Sequence, residues 1–183
     1  MRVSISGTHS SGKTSLLRTC QDGLRHRFPN QVDLIREVAR DVIRQGHPLN
    51  QDATIESYLL YVQLQLEAER LAMKRHVVSD RSLVDLLAYV ETNADPGIPA
   101  GLADMLREIL WVETKYFDVY CYLPVEFPLM LDGVRPVDIA YQAAVDARLR
   151  DILSRYGVSV MRVTGSVASR SRQLLALFED LPY

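Results

Sequence analysis

Short apolar runs alternate with longer mixed segments along almost the whole chain. Five of the runs have the length of β-strands. The predicted strands are Arg2–Ser6, Gln31–Arg36, Val77–Ser79, Asp118–Leu123 and Val158–Val163. Because helical segments separate each strand from the next, the pattern predicts an α/β fold, in which a parallel sheet is covered by helices on both faces.

Seven segments between and after these strands are predicted to be helices. They are Lys13–Arg27, Glu37–Gln45, a long helix from a cap at Asn50 or Asp52 to about Arg75, Ser82–Asn93, Leu102–Tyr116, Val137–Tyr156, and a last helix ending near Asp180. Apolar residues of the long helix recur at the spacing of one helix face: Ile55, Leu59, Val62 and Leu66. No repeat or linker separates a second domain, so we expect one domain over residues 1–183.

Composition and charge exclude several classes of protein. The 183 residues are 48% hydrophobic, and the net charge of −2 argues against a general nucleic-acid coat protein. The two cysteines, Cys20 and Cys121, form neither a CxxC pair nor a metal-binding pattern, which is typical of a reducing compartment. No apolar run suits a signal peptide or a membrane span, so we expect a soluble cytoplasmic protein.

A glycine-rich motif follows the first predicted strand directly and precedes a predicted helix. Gly7-x-x-x-x-Gly12-Lys13-Thr14 matches the P-loop pattern. Glycines let backbone amides turn toward phosphates, the helix adds its positive end, the lysine neutralises phosphate oxygens, and the threonine hydroxyl can coordinate Mg²⁺. The predicted nucleotide-binding residues of this motif are Gly7, Thr8, His9, Ser10, Ser11, Gly12, Lys13, Thr14 and Ser15.

Two classes of P-loop protein lack their motifs in this sequence. GTPase switches carry Asp-x-x-Gly, and none of the nine glycines has an aspartate three residues before it. They also carry [NT]-K-x-D for guanine, whereas Thr114-Lys115-Tyr116 is followed by Phe117. Large ring ATPases usually end the metal-binding strand in Asp-Glu and add a helical lid domain. This chain has Asp80-Arg81 and is too short for that domain, so the small phosphotransferases remain.

Two further patches favour a phosphotransferase. Asp80 ends the third predicted strand beside the P-loop, where it can hold Mg²⁺ together with the P-loop threonine, and Arg81 is expected to face the reacting phosphate. Residues 132–136 lie in an irregular stretch, where a mobile Arg135 can close over the phosphates and exclude water. We therefore expect a lid at about residues 124–140, with Gly133 as a hinge.

Together these motifs resemble the P-loop kinases of nucleosides and nucleotides, and more narrowly the AAA-like domain group that includes the nicotinamide riboside kinase domain. The matching residues are Ile5–Ser15, Arg36–Arg40, Val77–Ser82 and Asp132–Pro136. The resemblance implies the three-layer P-loop NTPase sandwich, a five-stranded sheet of order 2-3-1-4-5, and ATP and Mg²⁺ as cofactors. It also implies that adenine lies after the fifth strand, where Arg170 or Arg172 can stack on it.

Glu37, directly after the second predicted strand, indicates the kind of acceptor. In the deoxynucleoside kinases, which the chain resembles, a glutamate at this place takes the proton from the acceptor hydroxyl. A hydroxyl acceptor benefits from such a base, whereas a phosphate acceptor is already anionic. Those kinases follow the glutamate with proline, and Val38 stands here instead. The other predicted acceptor-binding residues are Arg40, Tyr61, Gln65 and Arg81.

Three functions remain open on the sequence alone. The first is phosphoryl transfer to a small acceptor, such as a nucleoside, a nucleotide or nicotinamide riboside. The second is phosphorylation of 5-hydroxymethyluracil within DNA, as in phage P-loop kinases of similar size, with a DNA surface on the first predicted helix: Arg18, Arg25, His26 and Arg27. The third is an NTP-hydrolysing sensor that moves a partner and needs no acceptor.

Overall fold

All five predicted strands are present and lie side by side in one sheet. They are β1 (Arg2–Ser6), β2 (Val32–Ile35), β3 (His76–Asp80), β4 (Val119–Tyr122) and β5 (Val160–Arg162). Every neighbouring pair is parallel, and the order across the sheet is β2-β3-β1-β4-β5, which confirms the predicted order. The computed structural model describes residues 1–93, 100–126 and 138–181.

Each predicted helix has a counterpart within these described ranges. The helices are α1 (Lys13–Arg27), α2 (Ala39–Arg44), α3 (Ile55–Leu71), α4 (Leu83–Thr92), α5 (Ala100–Glu113), α6 (Ile139–Arg155) and α7 (Val167–Ala176). A short 3₁₀ turn, Asn50–Asp52, precedes α3. Over the same ranges, no helix is both long enough and apolar enough to cross a lipid bilayer.

The two faces of the sheet carry separate hydrophobic cores. Successive strand residues point to opposite faces. Cys121 of β4 belongs to a core that contains Leu16 of α1 and Leu174 of α7. The preceding residue, Tyr120, belongs to the other core, which α4, α5 and α6 complete. Helices therefore cover both faces, and the predicted three-layer sandwich is confirmed.

The start of α3 corrects the predicted cap. Thr54, rather than Asn50 or Asp52, is the N-cap residue. Its hydroxyl accepts a hydrogen bond from the Ser57 N–H at 3.3 Å, and the Ser57 hydroxyl accepts one from the Thr54 N–H at 3.2 Å. This reciprocal pair satisfies two amides that the first turn of a helix leaves open. Asn50 and Asp52 belong to the 3₁₀ turn instead.

The buried face of α3 also differs from the apolar spacing in its sequence. Leu59 and Leu66 are 46% and 36% exposed. The buried face carries mostly aromatic and polar side chains, namely Ser57, Tyr58, Tyr61, Val62, Gln65 and Glu69. Two of these polar side chains are paired, since the Gln65 amide donates a hydrogen bond to the Glu69 carboxyl at 2.6 Å.

The carboxyl ends of β1, β2 and β3 meet at one edge of the sheet. Ile5 of β1 is in register with Asp80 of β3, and β2 pairs with the other side of β3. The loops that leave these strands carry the P-loop, Glu37 and Arg81. Ligands of open parallel sheets bind at this edge, so the fold brings the predicted donor and acceptor residues together.

Candidate active site

The P-loop has no room for a side chain at its first glycine. A Cβ atom on Gly7 would lie 2.7 Å from the Ser11 Oγ and 2.8 Å from the Leu123 carbonyl oxygen. Gly12 has a φ of 89°, in the left-handed region that favours glycine, and it is the N-cap of α1. Within the described residues no side chain caps α1, and its first turn lacks acidic residues. The positive end of α1 is therefore free for phosphate.

The other small residues of the loop differ in their exposure. Thr8 and Ser11 are fully buried. Ser10 has a left-handed φ of 59°, which continues the turn between the two glycines. Ser15 is exposed on the first turn of α1, and its carbonyl oxygen accepts a hydrogen bond from the Thr19 hydroxyl at 2.8 Å. The loop therefore presents mainly backbone amides rather than side chains to a ligand.

Lys13 lies inside the loop and is almost completely buried. Its Nζ donates to the Thr8 carbonyl oxygen and, at 3.2 Å, to the Ser11 hydroxyl. Burial, helped by the positive charge of Arg81, lowers the pKa of Lys13 to about 7. Phosphate oxygens beside Nζ would favour the charged form, because a nearby negative charge raises the pKa of an amine.

Thr14 and Asp80 are in direct contact, as the metal prediction requires. The Thr14 hydroxyl donates to the Asp80 Oδ2 at 2.7 Å. The other carboxylate oxygen, Oδ1, is buried and has no hydrogen-bond partner within residues 1–93, 100–126 and 138–181. Burial also raises the pKa of Asp80. A hard cation such as Mg²⁺ prefers such oxygen ligands and would supply the missing positive charge, so the pair fits a metal ligand set.

Arg170 supports the P-loop from beneath. It is 1% exposed, and its guanidinium donates to the Ser11 carbonyl oxygen at 2.6 Å and to the Glu126 carboxylate at 2.9 Å. The sequence had suggested that Arg170 stacks on adenine. The structure places it below the loop instead, because the loop carbonyl and Glu126 satisfy a buried guanidinium that water cannot reach.

Arg81 links the P-loop to Glu37, the predicted base. Its Nε donates to the Glu37 Oε1 at 2.9 Å, and its Nη1 donates to the Gly7 carbonyl oxygen at 3.0 Å. Arg81 has a φ of 86°, which is unusual for a residue with a side chain. Two hydrogen bonds fix this conformation. The Arg81 N–H donates to the Ile5 carbonyl oxygen at 3.1 Å, and the Ser79 hydroxyl donates to the Arg81 carbonyl oxygen at 2.6 Å.

Glu37 is buried between two arginines of different exposure. Its Oε1 pairs with Arg81, which is buried, and its Oε2 lies 3.6 Å from the Nε of Arg40, which is 54% exposed. The carboxylate is thus held in one orientation by Arg81 while its second oxygen faces the more open side. The predicted base and the predicted phosphate-binding Arg40 are therefore neighbours at the edge of the sheet.

A pocket opens beside Glu37 and Arg81. Its walls come from the P-loop, α2, the 3₁₀ turn, α3 and α4, and its ring-bearing residues are His9, Tyr58, Tyr61 and Tyr89. Tyr61 is buried, and within the described ranges its hydroxyl has no hydrogen-bond partner. Burial raises the pKa of Tyr61 far above its usual range, so the hydroxyl stays neutral and can donate or accept.

Gln65 does not line this pocket, although the sequence placed it among the acceptor-binding residues. It is fully buried one turn beyond Tyr61, and its amide donates to Glu69 and, at 3.5 Å, to the Arg81 carbonyl oxygen. The spacing of α3 therefore places Gln65 against the Arg81 backbone rather than in the pocket. Its contacts help to hold the unusual backbone of Arg81.

His9 is the P-loop residue that lines this pocket. Its ring is 6.1 Å from the Tyr141 ring, with an angle of 27° between them, and its Nδ1 lies 3.2 Å from the Tyr89 hydroxyl. Its carbonyl oxygen accepts a hydrogen bond from Gln142 at 2.7 Å. The sequence placed His9 with the nucleotide-binding residues, and His9 also lines the pocket beside Glu37.

The sequence reasoning missed Asp85, which contacts both sides of the site. Asp85 accepts hydrogen bonds from the Gly7 N–H at 2.9 Å and the Ser82 N–H at 3.2 Å, and it lies 3.7 Å from the Nη1 of Arg81. The spacing Ser82-x-x-Asp85 is a capping-box pattern and was readable as a helix start. Nothing local in the sequence signalled the contact with Gly7. Arg135 lies outside the described residues.

A protein-family model described as an AAA domain matches residues 2–170. This chain belongs to that AAA domain family. The match spans most of the chain and includes the P-loop, Glu37, Asp80 and Arg81. No curated protein matches the sequence of this AAA domain.

Solved structures similar to this AAA domain share its fold at low sequence identity. Thymidylate kinase from Ehrlichia chaffeensis has a TM-score of 0.71 and 18% identity, and the alignment covers 98% of each chain. NadR protein in complex with NR has a TM-score of 0.70 and 15% identity, over 97% of this chain and 50% of that one. NadR protein in complex with NAD and AMP-PNP has a TM-score of 0.69 and 16% identity, and the alignment covers 100% of this chain and 51% of that one. The domain therefore spans about half the length of the NadR chains.

Proposed function

We propose that this AAA domain is an ATP- and Mg²⁺-dependent kinase, which transfers the γ-phosphoryl group to a hydroxyl of a nucleoside- or nucleotide-like acceptor. The observation that carries the proposal is the position of Glu37. Its buried carboxylate lines the acceptor pocket and also the adjoining groove that contains Thr14 and Asp80. A base at this place lies between a phosphate in the P-loop and an acceptor in the pocket.

The donor side binds the triphosphate through the P-loop. The loop amides and Lys13 contact the β- and γ-phosphates, and the positive end of α1 adds to the field. Thr14 and Asp80 would hold Mg²⁺, which neutralises phosphate charge during transfer. Asp85 and Arg170 keep the loop in shape, through Gly7 and Ser11 respectively.

On the acceptor side, Glu37 accepts the proton of the acceptor hydroxyl. The acceptor oxygen forms its bond to the γ-phosphorus while the bond from that phosphorus to the bridging oxygen of ADP breaks. Arg81 orients Glu37, and its second hydrogen bond, to Gly7, ties that orientation to the P-loop. We propose that Arg135, in a lid at about residues 124–140, excludes water from this step.

The pocket walls support a flat, polar acceptor. The rings of His9, Tyr58 and Tyr89 offer surfaces against which a base packs, and the Tyr61 hydroxyl offers a hydrogen bond. Arg40, half exposed at the pocket mouth, suits a phosphate if the acceptor carries one. The name of the similar thymidylate kinase, and the ligands NR and AMP-PNP named with NadR, also support a nucleoside- or nucleotide-like acceptor and an ATP donor.

The proposal extends to the organisation of the chain. We propose one P-loop kinase domain over residues 1–183, in agreement with the family match over 2–170. The sensor alternative, which needs no acceptor, would leave the aromatic pocket beside Glu37 without a use. The cytoplasmic location expected from the sequence stays a prediction.

A panel of acceptors tests the proposed function. ADP release is measured with ATP·Mg²⁺ alone and with nucleosides, nucleoside monophosphates, nicotinamide riboside, or DNA with and without 5-hydroxymethyluracil. We expect at least one acceptor to raise turnover well above basal hydrolysis and to gain a phosphate detectable by mass spectrometry. Hydrolysis that no acceptor stimulates would contradict the kinase and favour the sensor.

A further inference from the structure

A second, larger groove adjoins the acceptor pocket. It starts at Thr14 and Asp80 and follows α1 as far as Phe28. Its other wall is β2, the edge strand of the sheet, with the segment around α2. Glu37 and Arg40 line both the groove and the pocket, so the two cavities are continuous at the proposed base.

The groove is basic although the whole chain is slightly acidic. Six basic and four acidic side chains line it, whereas the net charge of the chain is −2. Three of the acids already have basic partners: Asp33 pairs with Lys74, Glu37 with Arg81 and Arg40, and Asp41 with Arg44. The remaining acid is Asp80, the proposed metal ligand.

Three arginines of the groove have no ion-pair partner within residues 1–93, 100–126 and 138–181. They are Arg18 and Arg25 on α1 and Arg36 after β2, and all three are exposed. Exposed arginines without a carboxylate partner are suited to phosphate, which they bind through two hydrogen bonds. The groove therefore presents a row of free cations that begins next to the active site.

The length of the row exceeds what a mononucleotide can use. Arg18 and Arg25 are seven residues apart on α1, or about 10 Å along the helix axis at 1.5 Å per residue. The helix from Thr14 to Phe28 extends the wall to about 21 Å. A nucleoside monophosphate carries its phosphate at one end, whereas a nucleic-acid strand repeats phosphates along such a distance.

Among the described residues that line it, the groove offers charge but no exposed aromatic surface. Its one lining aromatic residue, Phe28, is fully buried. A strand in the groove would thus be held by its backbone, without base stacking. A nucleotide that enters the adjoining pocket must leave its stack, which costs least in a single strand.

We propose that this basic groove binds the phosphate backbone of a single-stranded nucleic acid, and that the acceptor hydroxyl belongs to one nucleotide of that strand. The proposal rests on the proposed function for the acceptor pocket, but the groove itself can be tested without turnover. The strand passes Arg36 and runs along α1 past Arg18 and Arg25.

Fluorescence anisotropy with a labelled oligo-dT of about 12 nucleotides tests the groove, because sites of this kind cover about 4–16 nucleotides. Three phosphate contacts predict that the logarithm of the association constant falls with the logarithm of salt concentration with a slope near −2, at about 0.7 per phosphate of a single strand. Replacing all three free arginines (R18A/R25A/R36A) should lower affinity at least tenfold at about 50 mM salt and bring the slope close to zero.

A matched variant removes three exposed positive charges outside the groove. Arg70, Lys115 and Arg162 are exposed and line neither cavity, so R70A/K115A/R162A should bind the oligonucleotide like the wild type. Equal binding by the two triple variants would overturn the proposal, as would wild-type protein that does not bind at low salt. Duplex DNA or poly-glutamate that binds as tightly as the single strand would also overturn it.

The outcome separates this proposal from the proposed function. If a free nucleoside is phosphorylated but no oligonucleotide binds, the groove proposal fails and the kinase stands. If the oligonucleotide binds through the three arginines but no acceptor stimulates turnover, the groove stands and the kinase fails. Phosphorylation of a strand-embedded nucleotide that R18A/R25A/R36A loses would support both.

Discussion

The donor cradle and the acceptor pocket of this AAA domain are built in opposite ways. The cradle is one contiguous stretch, Gly7–Ser15, and its proposed contacts to phosphate come from backbone amides, one lysine and a helix end. The pocket is assembled from side chains of separate segments, which the sheet edge brings together: His9, Glu37, Tyr61, Arg81 and Tyr89. The cradle depends on glycine geometry, whereas the pocket depends on a buried ion pair.

In the proposed mechanism, the P-loop cradle binds the donor phosphate, whereas the pocket beside it carries the group that takes part in the reaction. A cradle of this kind binds phosphate in any P-loop protein, so it does not determine where the phosphate goes. The Glu37–Arg81 pair, in contrast, depends on the residues around it, because a buried charge is stable only when its partner and its hydrogen bonds are in place. Variants on the two sides should therefore fail in different ways.

The largest effect is expected on the donor side, from Lys13→Ala. Loss of this charge should lower kcat about 10³-fold for every acceptor. The reason is that a preorganised group which stabilises the charge developing in the transition state contributes about 10²–10³ to the rate. Steady-state ADP release with two different acceptors measures it. Lys115→Ala, an exposed lysine outside both cavities, is the control. A loss confined to one acceptor would contradict the separation of the two sides.

On the acceptor side, Glu37→Gln should lower kcat for transfer at least about 100-fold, the usual contribution of a general base. The affinity for a non-hydrolysable ATP analogue should stay within about twofold, because the cradle does not use this carboxylate. Single-turnover kinetics and calorimetry measure the two quantities. Glu67→Gln, an exposed residue of α3, serves as the control. Wild-type kcat in Glu37→Gln would refute the assignment of the base.

Asp85 joins the two halves, so its removal should damage both. In Asp85→Ala the Gly7 N–H loses its partner and Arg81 loses a nearby carboxylate. We expect the free energy of unfolding to fall by about 2 kcal/mol, the cost of a buried unsatisfied donor. Urea denaturation measures this, together with the affinity for an ATP analogue. Asp85→Asn keeps an oxygen for Gly7 and should lose less, whereas equal stability of all three proteins would show that the halves are independent.

The same contrast explains how far the sequence could predict the site. The cradle and the contact between Thr14 and Asp80 followed from local spacing and from the rule that parallel strands end at one edge. The role of Gln65 did not follow, because α3 buries a face that its apolar spacing does not indicate, and because the Arg81 carbonyl that Gln65 contacts belongs to another element. Arg170 was misplaced for a similar reason, since its partner Ser11 lies 159 residues away.

The smallest effect is expected behind the acceptor pocket, at Glu69. Burial and the neighbouring Glu113 carboxylate raise the pKa of Glu69 to about 10. The unfolded chain releases this proton near its ordinary pKa of about 4.5, while the folded chain keeps it, so this group lowers the stability of the fold as pH rises from about 4.5 toward 10. The polar layer that supports Arg81 therefore weakens the fold at neutral pH.

Glu69→Gln removes this titration while its side-chain oxygen still accepts the hydrogen bond from Gln65. We expect the variant to be more stable than the wild type by about 1–2 kcal/mol at pH 8, with a smaller gain at pH 6. Urea denaturation at the two pH values measures the difference, and Glu67→Gln controls for the loss of an exposed carboxylate. If the gain in the free energy of unfolding did not grow with pH, Glu69 would be ionised in the folded protein. The acceptor half would then tolerate a buried charge as readily as the cradle does.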